Sequence, residues 1–345
     1  MSAAAGDVVG DDRRRARVVA AAARGLALAA GVDPPSGLRL WALAGTDVSP
    51  SAAPAGVDGS EVLGAALEAA TDGGRRRVQG LHVTPRWLAD DLVARAVPAP
   101  GAAVTVCDPA CGGGAFLVAA AERLHRAGIG RAAVVRRHLW GADIDPVGLA
   151  AAEAALALWA GEAPPPGRLV VGDPLVAGAA LWPDGPAGGF AAVVGNPPFQ
   201  SQLGRATARS AAERGRLRAR YGRAVRAYTD TAWLFLLLGC ELVRAGGRVA
   251  LVQPQSVVGA RDAAAVRAEV DRRADLRDLW VDERRVFAAS VRVCAPVLVR
   301  RDGPAAVAAA AGDRWGALAA TALGVPDLPD LGGPPLGERA TVVAG

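Results

Sequence analysis

From about Val104 onwards, the chain alternates short runs of β-branched residues with longer stretches rich in alanine and leucine. The short apolar runs predict buried strands, and the longer stretches predict helices that cover them. This alternation predicts an α/β protein built on a mostly parallel, seven-stranded sheet. The strands are predicted at Val104–Cys107, Leu139–Asp143, Leu169–Val171, Ala191–Val194, Arg248–Gln253, Leu279–Asp282 and Val293–Arg300. The clearest helices are predicted at Ala115–Arg126, Pro146–Trp159, Thr229–Ala245 and Ala260–Arg273.

The pattern changes on both sides of this region. Residues 1–77 form a predicted N-terminal helical region, since alanine-rich segments alternate there with breakers such as Asp33–Gly37. Residues 78–302 form the predicted central α/β domain, and residues 303–345 are rich enough in proline and glycine to predict a linker. Within the central domain, Gln200–Ala227 is arginine-rich with few large apolar residues, which predicts a surface loop or, alternatively, a solvated arginine-rich helix.

The charge balance is weak evidence about partners. Basic residues outnumber acidic ones by 39 to 34, a net charge of +5, and every basic residue is arginine because the chain has no lysine. Arginine without lysine, beside so much alanine, glycine and proline, is typical of a GC-rich genome. The charge is compatible with a polyanionic partner but does not by itself indicate one.

The longest strongly apolar run, Ala232–Cys240, is too short for the roughly 20 residues that cross a bilayer, so no membrane span is predicted. Arg24 interrupts the alanine-rich start, which argues against a secretory signal. A cytoplasmic protein with reduced thiols is therefore expected. No histidine lies near Cys107 and Cys111, so these two are predicted to be buried thiols and no metal site is expected.

The first chemically informative segment spans residues 104–117. A strand ends at Asp108, three glycines follow at positions 112–114, and a helix begins, so that backbone and helix N-terminus can approach a ligand. The dinucleotide-binding spacing is missing, and Asp108 would stand where a pyrophosphate should lie. A carboxylate at this point suits a cationic or zwitterionic ligand.

Two further acids follow the next two predicted strands. Asp143 and Asp173 are at positions where a carboxylate can accept hydrogen bonds from ribose hydroxyls and from an adenine amino group respectively. Taken singly, each acid is explained more simply as a helix cap or a turn residue. Three acids at successive strand ends are harder to explain in that way.

The fourth segment is Gly195-Asn196-Pro197-Pro198-Phe199. Consecutive prolines stiffen the turn and fix the directions of the asparagine side chain and the first proline's carbonyl. These two acceptors can hold one amino group, and Phe199 can offer a face to a planar base. In isolation, the same residues could be only a turn.

Together these motifs resemble a known family. Asp-Pro-Ala-Cys-Gly-Gly-Gly-Ala-Phe at 108–116, Gly-Ala-Asp-Ile-Asp-Pro at 141–146, Gly-Asp-Pro-Leu at 172–175 and the asparagine motif at 195–199 look like those of N6-adenine DNA methyltransferases of the type I and Eco57I-like restriction-modification systems. Upstream, Gly80–Ala89 is similar to the family's Thr-Pro motif. Downstream, Tyr228–Phe235, Gly246–Ser256 and, less specifically, Val286–Cys294 resemble its later motifs.

The resemblance implies a Rossmann-like methyltransferase fold, S-adenosyl-L-methionine as cofactor, and methyl transfer to the exocyclic N6 amino group of adenine in DNA, in restriction-modification or phage defence. It implies a cofactor site made of Thr84, Pro85, Asp108, Ala110, Gly112, Gly114, Asp143, Ile144 and Asp173. It implies a catalytic set made of Asn196, Pro197, Pro198 and Phe199, with Phe287 as an opposite wall for the base. The implied partners are double-stranded DNA and a separate specificity or target-recognition protein.

The sequence departs from this family at its end. Family members continue into a target-recognition domain, whereas about 43 residues follow Asp302 here, and Leu336–Gly345 resembles only the opening of such a domain. A partner-dependent or non-catalytic fragment is therefore one alternative. A methyltransferase of ribosomal RNA or of protein glutamine is another. Without lysine, no Asp/Glu-x-Lys nuclease core is possible in the chain.

Overall fold

The computed structural model describes residues 2–34, 36–45, 47–52, 59–72, 83–98, 104–200, 210–282, 292–303 and 311–326, with side chains from residue 9 in the first range and from residue 314 in the last. Phe287, the predicted opposite wall for a base, lies outside the described residues.

Within the described residues, four helices precede the first strand. They are α1 (Ser2–Ala29), α2 (Arg39–Ala44), α3 (Gly59–Ala70) and α4 (Arg86–Ala96). The first three agree with the predicted helical character of residues 1–77, while the boundary at 77 lies in a stretch outside the described residues and stays a prediction.

The remaining elements alternate as expected for an α/β protein. The strands are β1 (Val106–Asp108), β2 (Leu139–Asp143), β3 (Leu169–Val171), β4 (Phe190–Gly195), β5 (Val243–Leu251), β6 (Gln253–Pro254), β7 (Ala274–Val281) and β8 (Val293–Arg300). The helices are α5 (Ala115–Arg126), α6 (Arg131–Arg137), α7 (Pro146–Ala160), α8 (Pro174–Ala177), α9 (Ala211–Tyr221), α10 (Thr231–Leu242), α11 (Ser256–Gly259), α12 (Ala264–Arg273) and α13 (Ala311–Ala322).

The sheet order places β1 at the centre of the topology. The strands lie in the order β3-β2-β1-β4-β5-β8, with β6 and β7 also paired to β8. Strands β1 to β5 are parallel to one another, and β8 is antiparallel to β5, β6 and β7. The chain leaves β1 towards β2 and later returns to β4 on the other side, which opens a crevice at the carboxyl ends of β1 and β4. The predicted α/β class and mostly parallel sheet are confirmed. The sheet is mixed, because the pairings of β8 are antiparallel.

Alternate residues of the central strands pack into two different hydrophobic clusters. Val106 and Val194 belong to one cluster, and Cys107 and Val193 belong to the other. Because successive side chains of a strand point to opposite faces, the clusters cover the two faces of the sheet. The first cluster also contains Ala16 of α1 and other residues of the N-terminal helices, so these helices share a core with the sheet.

Several element ends differ from the sequence-based expectation. The predicted strand Arg248–Gln253 begins earlier, at Val243, and is split at Val252 into β5 and β6. Strand β7 begins at Ala274, five residues before the predicted Leu279. The prediction started late because the charged residues Asp275, Arg277 and Asp278 interrupt the apolar pattern of the strand. Residues 211–221 form helix α9, in agreement with the alternative of an arginine-rich helix rather than with the surface loop, and its start is fixed by a capping box between Ser210 and Glu213.

The structure also differs from the predicted linker after residue 303. Helix α13 packs against β7, α11 and α12. Its Trp315 is fully buried in the second cluster, and its indole nitrogen donates to the Asp271 carboxylate over 3.0 Å. One large aromatic residue therefore anchors a helix inside a segment whose composition is typical of a linker.

None of the helices in the described part of the chain is long and apolar enough to cross a membrane.

Candidate active site

A cavity of about 480 Å³ lies at the carboxyl ends of the parallel strands. It is lined by the turns after β1, β2, β3 and β4, by α3 and α9, and by the first turns of α5 and α10. This is the topological switch point of the sheet, where open α/β folds bind their ligands.

Asp108 ends β1 at the floor of the cavity. Its side chain is 1% exposed, and Oδ1 accepts a hydrogen bond from the Ala110 amide over 3.0 Å. A Cβ at Gly195 would lie 2.5 Å from the same oxygen, so glycine is required there for the two strand ends to approach. Burial, together with the nearby Asp143 carboxylate, raises the pKa of Asp108 to about 8. The residue is therefore poised to lose a proton when a cation approaches.

The glycine loop has two different roles along its length. Gly112 lines the cavity with φ +47°, and a Cβ there would meet no atom within 4 Å, so any side chain would enter open space. Gly114 instead adopts φ +89° at the start of α5, and a Cβ there would lie 3.0 Å from Cα of Ala152 in α7. Gly112 leaves room for a ligand, whereas Gly114 permits close packing of the loop on a helix.

Asp143 ends β2 and holds the neighbouring turns. Its Oδ2 accepts from the Gly112 amide and its Oδ1 from the Asp145 amide, each over 2.8 Å. Each oxygen retains a further lone pair. Burial raises the pKa of Asp143 to about 6, while the two backbone hydrogen bonds oppose that rise. The carboxyl group can therefore offer two acceptors to a pair of vicinal hydroxyls.

Asp173 is both a helix cap and a cavity residue. Its Oδ1 accepts from the Leu175 amide over 2.9 Å, which starts helix α8. The structure thus supports the cap interpretation for this acid, and its carboxylate also faces the cavity. Beside it, Ile144 and Val176 line the cavity although they are 53% and 39% exposed, and they provide apolar surface for a flat ring.

Asn196 follows β4 and is half-buried at the cavity wall. Its Nδ2 donates to Oγ1 of Thr84 over 3.2 Å. Within the described residues, no donor hydrogen-bonds to Oδ1, so this oxygen remains available as an acceptor. Thr84 is buried immediately before Pro85, which begins helix α4.

The far side of the same turn is held by the start of α10. The Gln200 amide donates to Oδ1 of Asp230 over 3.1 Å, and Oγ1 of Thr231 donates to Oε1 of Gln200 over 3.0 Å. Asp230 also caps α10 through the Ala232 amide. The asparagine turn is consequently fixed from both ends.

Most of the predicted site residues lie together. The cavity lining includes Thr84, Asp108, Ala110, Gly112, Asp143, Ile144, Asp173, Asn196 and Pro198. Four predicted residues lie outside the lining, namely Pro85, Gly114, Pro197 and Phe199. Pro85 and Gly114 set the starts of helices, Pro197 is buried in the turn, and the half-buried Phe199 packs on the first hydrophobic cluster.

The cavity also contains residues that the sequence did not indicate. They are Ser60, Gly64 and Leu67 of α3, Glu213, Arg216 and Leu217 of α9, and Val176. Gly64, an isolated glycine inside an alanine-rich helix, is compatible with close packing but does not indicate its partner.

Among the described residues, no group of three or more histidine, cysteine, aspartate and glutamate side chains is arranged to hold a metal ion.

The fold is similar to that of several solved structures. The modification subunit of a putative type I restriction enzyme from Vibrio vulnificus YJ016 matches with a TM-score of 0.52 at 22% identity, over 77% of this chain and 53% of that one. A putative class I S-adenosylmethionine-dependent methyltransferase from Listeria monocytogenes matches with a TM-score of 0.51 at 17% identity, over 77% of each chain. The DrdV–DNA complex matches with a TM-score of 0.54 at 20% identity, over 71% of this chain and 29% of that one.

These similarities show the fold, and this chain spans about half of the Vibrio vulnificus subunit. A comparison with curated proteins gave no match. The family model described as N-6 DNA Methylase matches residues 69–270, which is more than half of the chain and includes every motif from the threonine of the Thr-Pro turn to helix α12. The chain therefore belongs to the N-6 DNA methylase family.

Proposed function

We propose that this chain binds S-adenosyl-L-methionine in the cavity and transfers its methyl group to the N6 amino group of adenine in double-stranded DNA, as part of restriction-modification or phage defence. The observation that carries the proposal is the hydrogen bond from Asn196 to Thr84, which leaves Oδ1 as an acceptor beside three cavity carboxylates. With DNA as substrate, the proposed place of action is the cytoplasm, and a separate recognition protein is the proposed partner.

The cavity fits this cofactor. Its volume of about 480 Å³ lies in the range of small-molecule sites. Asp108 supplies negative charge for a ligand that carries a sulfonium and an ammonium, and Asp143 supplies two acceptors for ribose hydroxyls. Asp173 supplies an acceptor for the adenine amino group, with Ile144 and Val176 as apolar surface for the ring.

When bound, the cofactor supplies an electrophilic methyl carbon. Asn196 Oδ1 would accept one N–H of the target amino group, and the carbonyl of Pro197 would accept the other. Two acceptors on one amino group would draw its lone pair out of ring conjugation and orient it towards the methyl carbon that the bound cofactor would supply. Holding the reactants in line supplies most of the acceleration.

Phe199 would stack on the target base. A base inside a duplex is out of reach, so the adenine must be flipped out at a cost of a few kcal/mol. Stacking on an aromatic face offsets about 1–3 kcal/mol of that cost.

The first test is calorimetric titration of the purified chain with S-adenosylmethionine, beside Asp108→Ala. We expect binding by the wild type and its loss in the variant. Failure of a well-folded wild-type chain to bind would refute the proposal and favour the non-catalytic alternative.

The second test concerns the acceptor. With tritium-labelled cofactor and duplex DNA, in the presence and absence of a recognition protein, we expect N6-methyladenine after nucleoside digestion. Asn196→Ala is expected to bind the cofactor yet transfer methyl groups at least about 100-fold more slowly. Label found in ribosomal RNA or in glutamine, and none in DNA, would contradict the proposed substrate.

A further inference from the structure

Helix α3 of the N-terminal region contributes directly to the cavity. Ser60, Gly64 and Leu67 line it from one face of α3, at the helical spacing of four and three residues. A Cβ at Gly113 would lie 3.0 Å from Cα of Gly64, so α3 and the glycine loop touch backbone to backbone. The loop that faces the ligand is therefore packed against a helix from the region before residue 77.

A buried ion pair fixes this arrangement. Arg15 of α1 is 0% exposed, and Asp145, in the turn after β2, is 3% exposed. Both terminal nitrogens of the guanidinium donate to the two carboxylate oxygens of Asp145, and Nε donates to Oγ1 of Thr71 over 3.1 Å. Thr71 in turn donates to the Leu67 carbonyl over 2.7 Å, at the end of α3. One side chain thus joins α1, the end of α3 and the turn after β2.

The pair is connected to the ligand side through Asp145. The Asp145 amide donates to Asp143, and Asp143 accepts from the Gly112 amide, so three cavity residues form one hydrogen-bonded chain. A buried ion pair adds little net stability, because the loss of hydration opposes the attraction between the charges. Its bidentate geometry, however, fixes the direction of the Asp145 turn.

We propose that helix α3, held in place by α1, forms one wall of the cofactor site and that Arg15 is a positioning residue for S-adenosylmethionine binding. This inference rests on the proposed function. Its consequence is reciprocal: if docking of the helices favours cofactor binding, cofactor binding must stabilise the docked helices to the same extent. Any partner that pulls on α1 would then change cofactor affinity.

The test compares Arg15→Met with Arg13→Met. Both changes remove one positive charge from α1, but the Arg13 side chain is exposed. Titration with S-adenosylmethionine, at a temperature where circular dichroism shows each variant folded, is expected to give at least tenfold weaker binding for Arg15→Met and wild-type binding for Arg13→Met. In the wild type, the cofactor is expected to slow hydrogen exchange along residues 16–27 of α1, and this slowing is expected to be lost in Arg15→Met.

A second pair of variants leaves the ion pair intact. Gly64→Leu places a side chain towards the cavity residue Val83, whereas Ala65→Leu adds the same side chain at an exposed position of α3. We expect at least tenfold weaker cofactor binding for Gly64→Leu only. If Arg15→Met does not fold, Gly64→Leu decides the question.

The outcomes separate the two proposals. A wild-type chain that does not bind S-adenosylmethionine refutes the proposed function and with it this inference. A wild-type chain that binds, while folded Arg15→Met and Gly64→Leu bind equally well, overturns the inference alone.

Discussion

The side-chain amide of Asn196 can turn either its oxygen or its NH2 group towards the cavity. In the structure Nδ2 donates to Oγ1 of Thr84, which leaves Oδ1 for a ligand. The sequence predicted that Thr84 contacts the cofactor, and its hydroxyl also contacts this amide. Its hydroxyl can thereby orient the proposed catalytic amide.

The first prediction tests this role of Thr84. Thr84→Val keeps the shape of the side chain and removes the acceptor, so the amide loses a hydrogen bond of about 1 kcal/mol. We expect methyl transfer to DNA to slow by about fivefold to tenfold with cofactor affinity unchanged, and Thr84→Ser to restore the rate. Loss of cofactor affinity at an unchanged rate would instead place Thr84 at the methionine end.

The second prediction concerns the buried acid Asp108. Its folded-state pKa of about 8 is above the ordinary aspartate value of 3.8, so the folded protein holds a proton that the unfolded chain releases between these values. The contribution of Asp108 to stability is complete below about pH 4 and is lost as the pH rises through about 8. A difference of one pKa unit between the folded and unfolded states is equivalent to about 1.4 kcal/mol of free energy of unfolding.

We therefore expect the free energy of unfolding of the ligand-free protein to fall between about pH 5 and pH 8, and to fall less in Asp108→Asn, where the hydrogen bond to Ala110 is retained but no proton is exchanged. Urea denaturation at the two pH values measures the difference. Equal pH dependence in both proteins would contradict a raised pKa at this position.

At the scale of elements, the contact between the glycine loop and α7 sets the start of α5. The third prediction compares Gly114→Ala with Gly128→Ala. Both glycines have left-handed φ, +89° and +95°, but only Gly114 would press its Cβ on a neighbour, since Gly128 has no atom within 4 Å. Both variants should have a lower free energy of unfolding, because alanine is strained at a left-handed φ. Gly114→Ala should lose about 1–3 kcal/mol more, because its Cβ overpacks against α7. Chemical denaturation measures both losses, and equal losses would mean that the loop can move off α7.

The strands and helices differ in how well the sequence predicts them. The parallel strands β2, β3 and β4 were located to within one residue, because each is a short apolar run bounded by turn residues. Helix α13 was missed because a single buried Trp315 holds it in a segment of linker-like composition. The start of β7 was missed because the charged residues Asp275, Arg277 and Asp278 alternate with its apolar residues.

For the site, motifs identified the residues that follow β1, β2, β3 and β4, because local sequence determines how each strand ends. The α3 wall could not be found in this way, since Gly64 meets Gly113 across 49 positions of sequence and nothing local to either residue indicates the contact. Long-range packing of a helix that carries no motif leaves no periodic or compositional signal.

At the scale of the whole molecule, the N-terminal helices and the sheet share one hydrophobic cluster. The fourth prediction is that they unfold together, although residues 1–77 were assigned to a region of their own. Calorimetry is expected to show one transition, with hydrogen exchange in α1 and α7 limited by the same free energy. A separate transition of the N-terminal helices at lower temperature would show that they form an independent unit.

The four cysteines have a practical consequence for such experiments. Cys107, Cys111, Cys240 and Cys294 are all buried and unpaired, and burial raises the pKa of each thiol, so none presents a reactive thiolate at neutral pH. The folded protein should therefore resist maleimide reagents without any prior removal of cysteines. A single cysteine introduced on the exposed side of α1, for example at Arg17, would be the one site to accept a fluorophore or spin label, and movement of this helix could be followed against an otherwise unlabelled background.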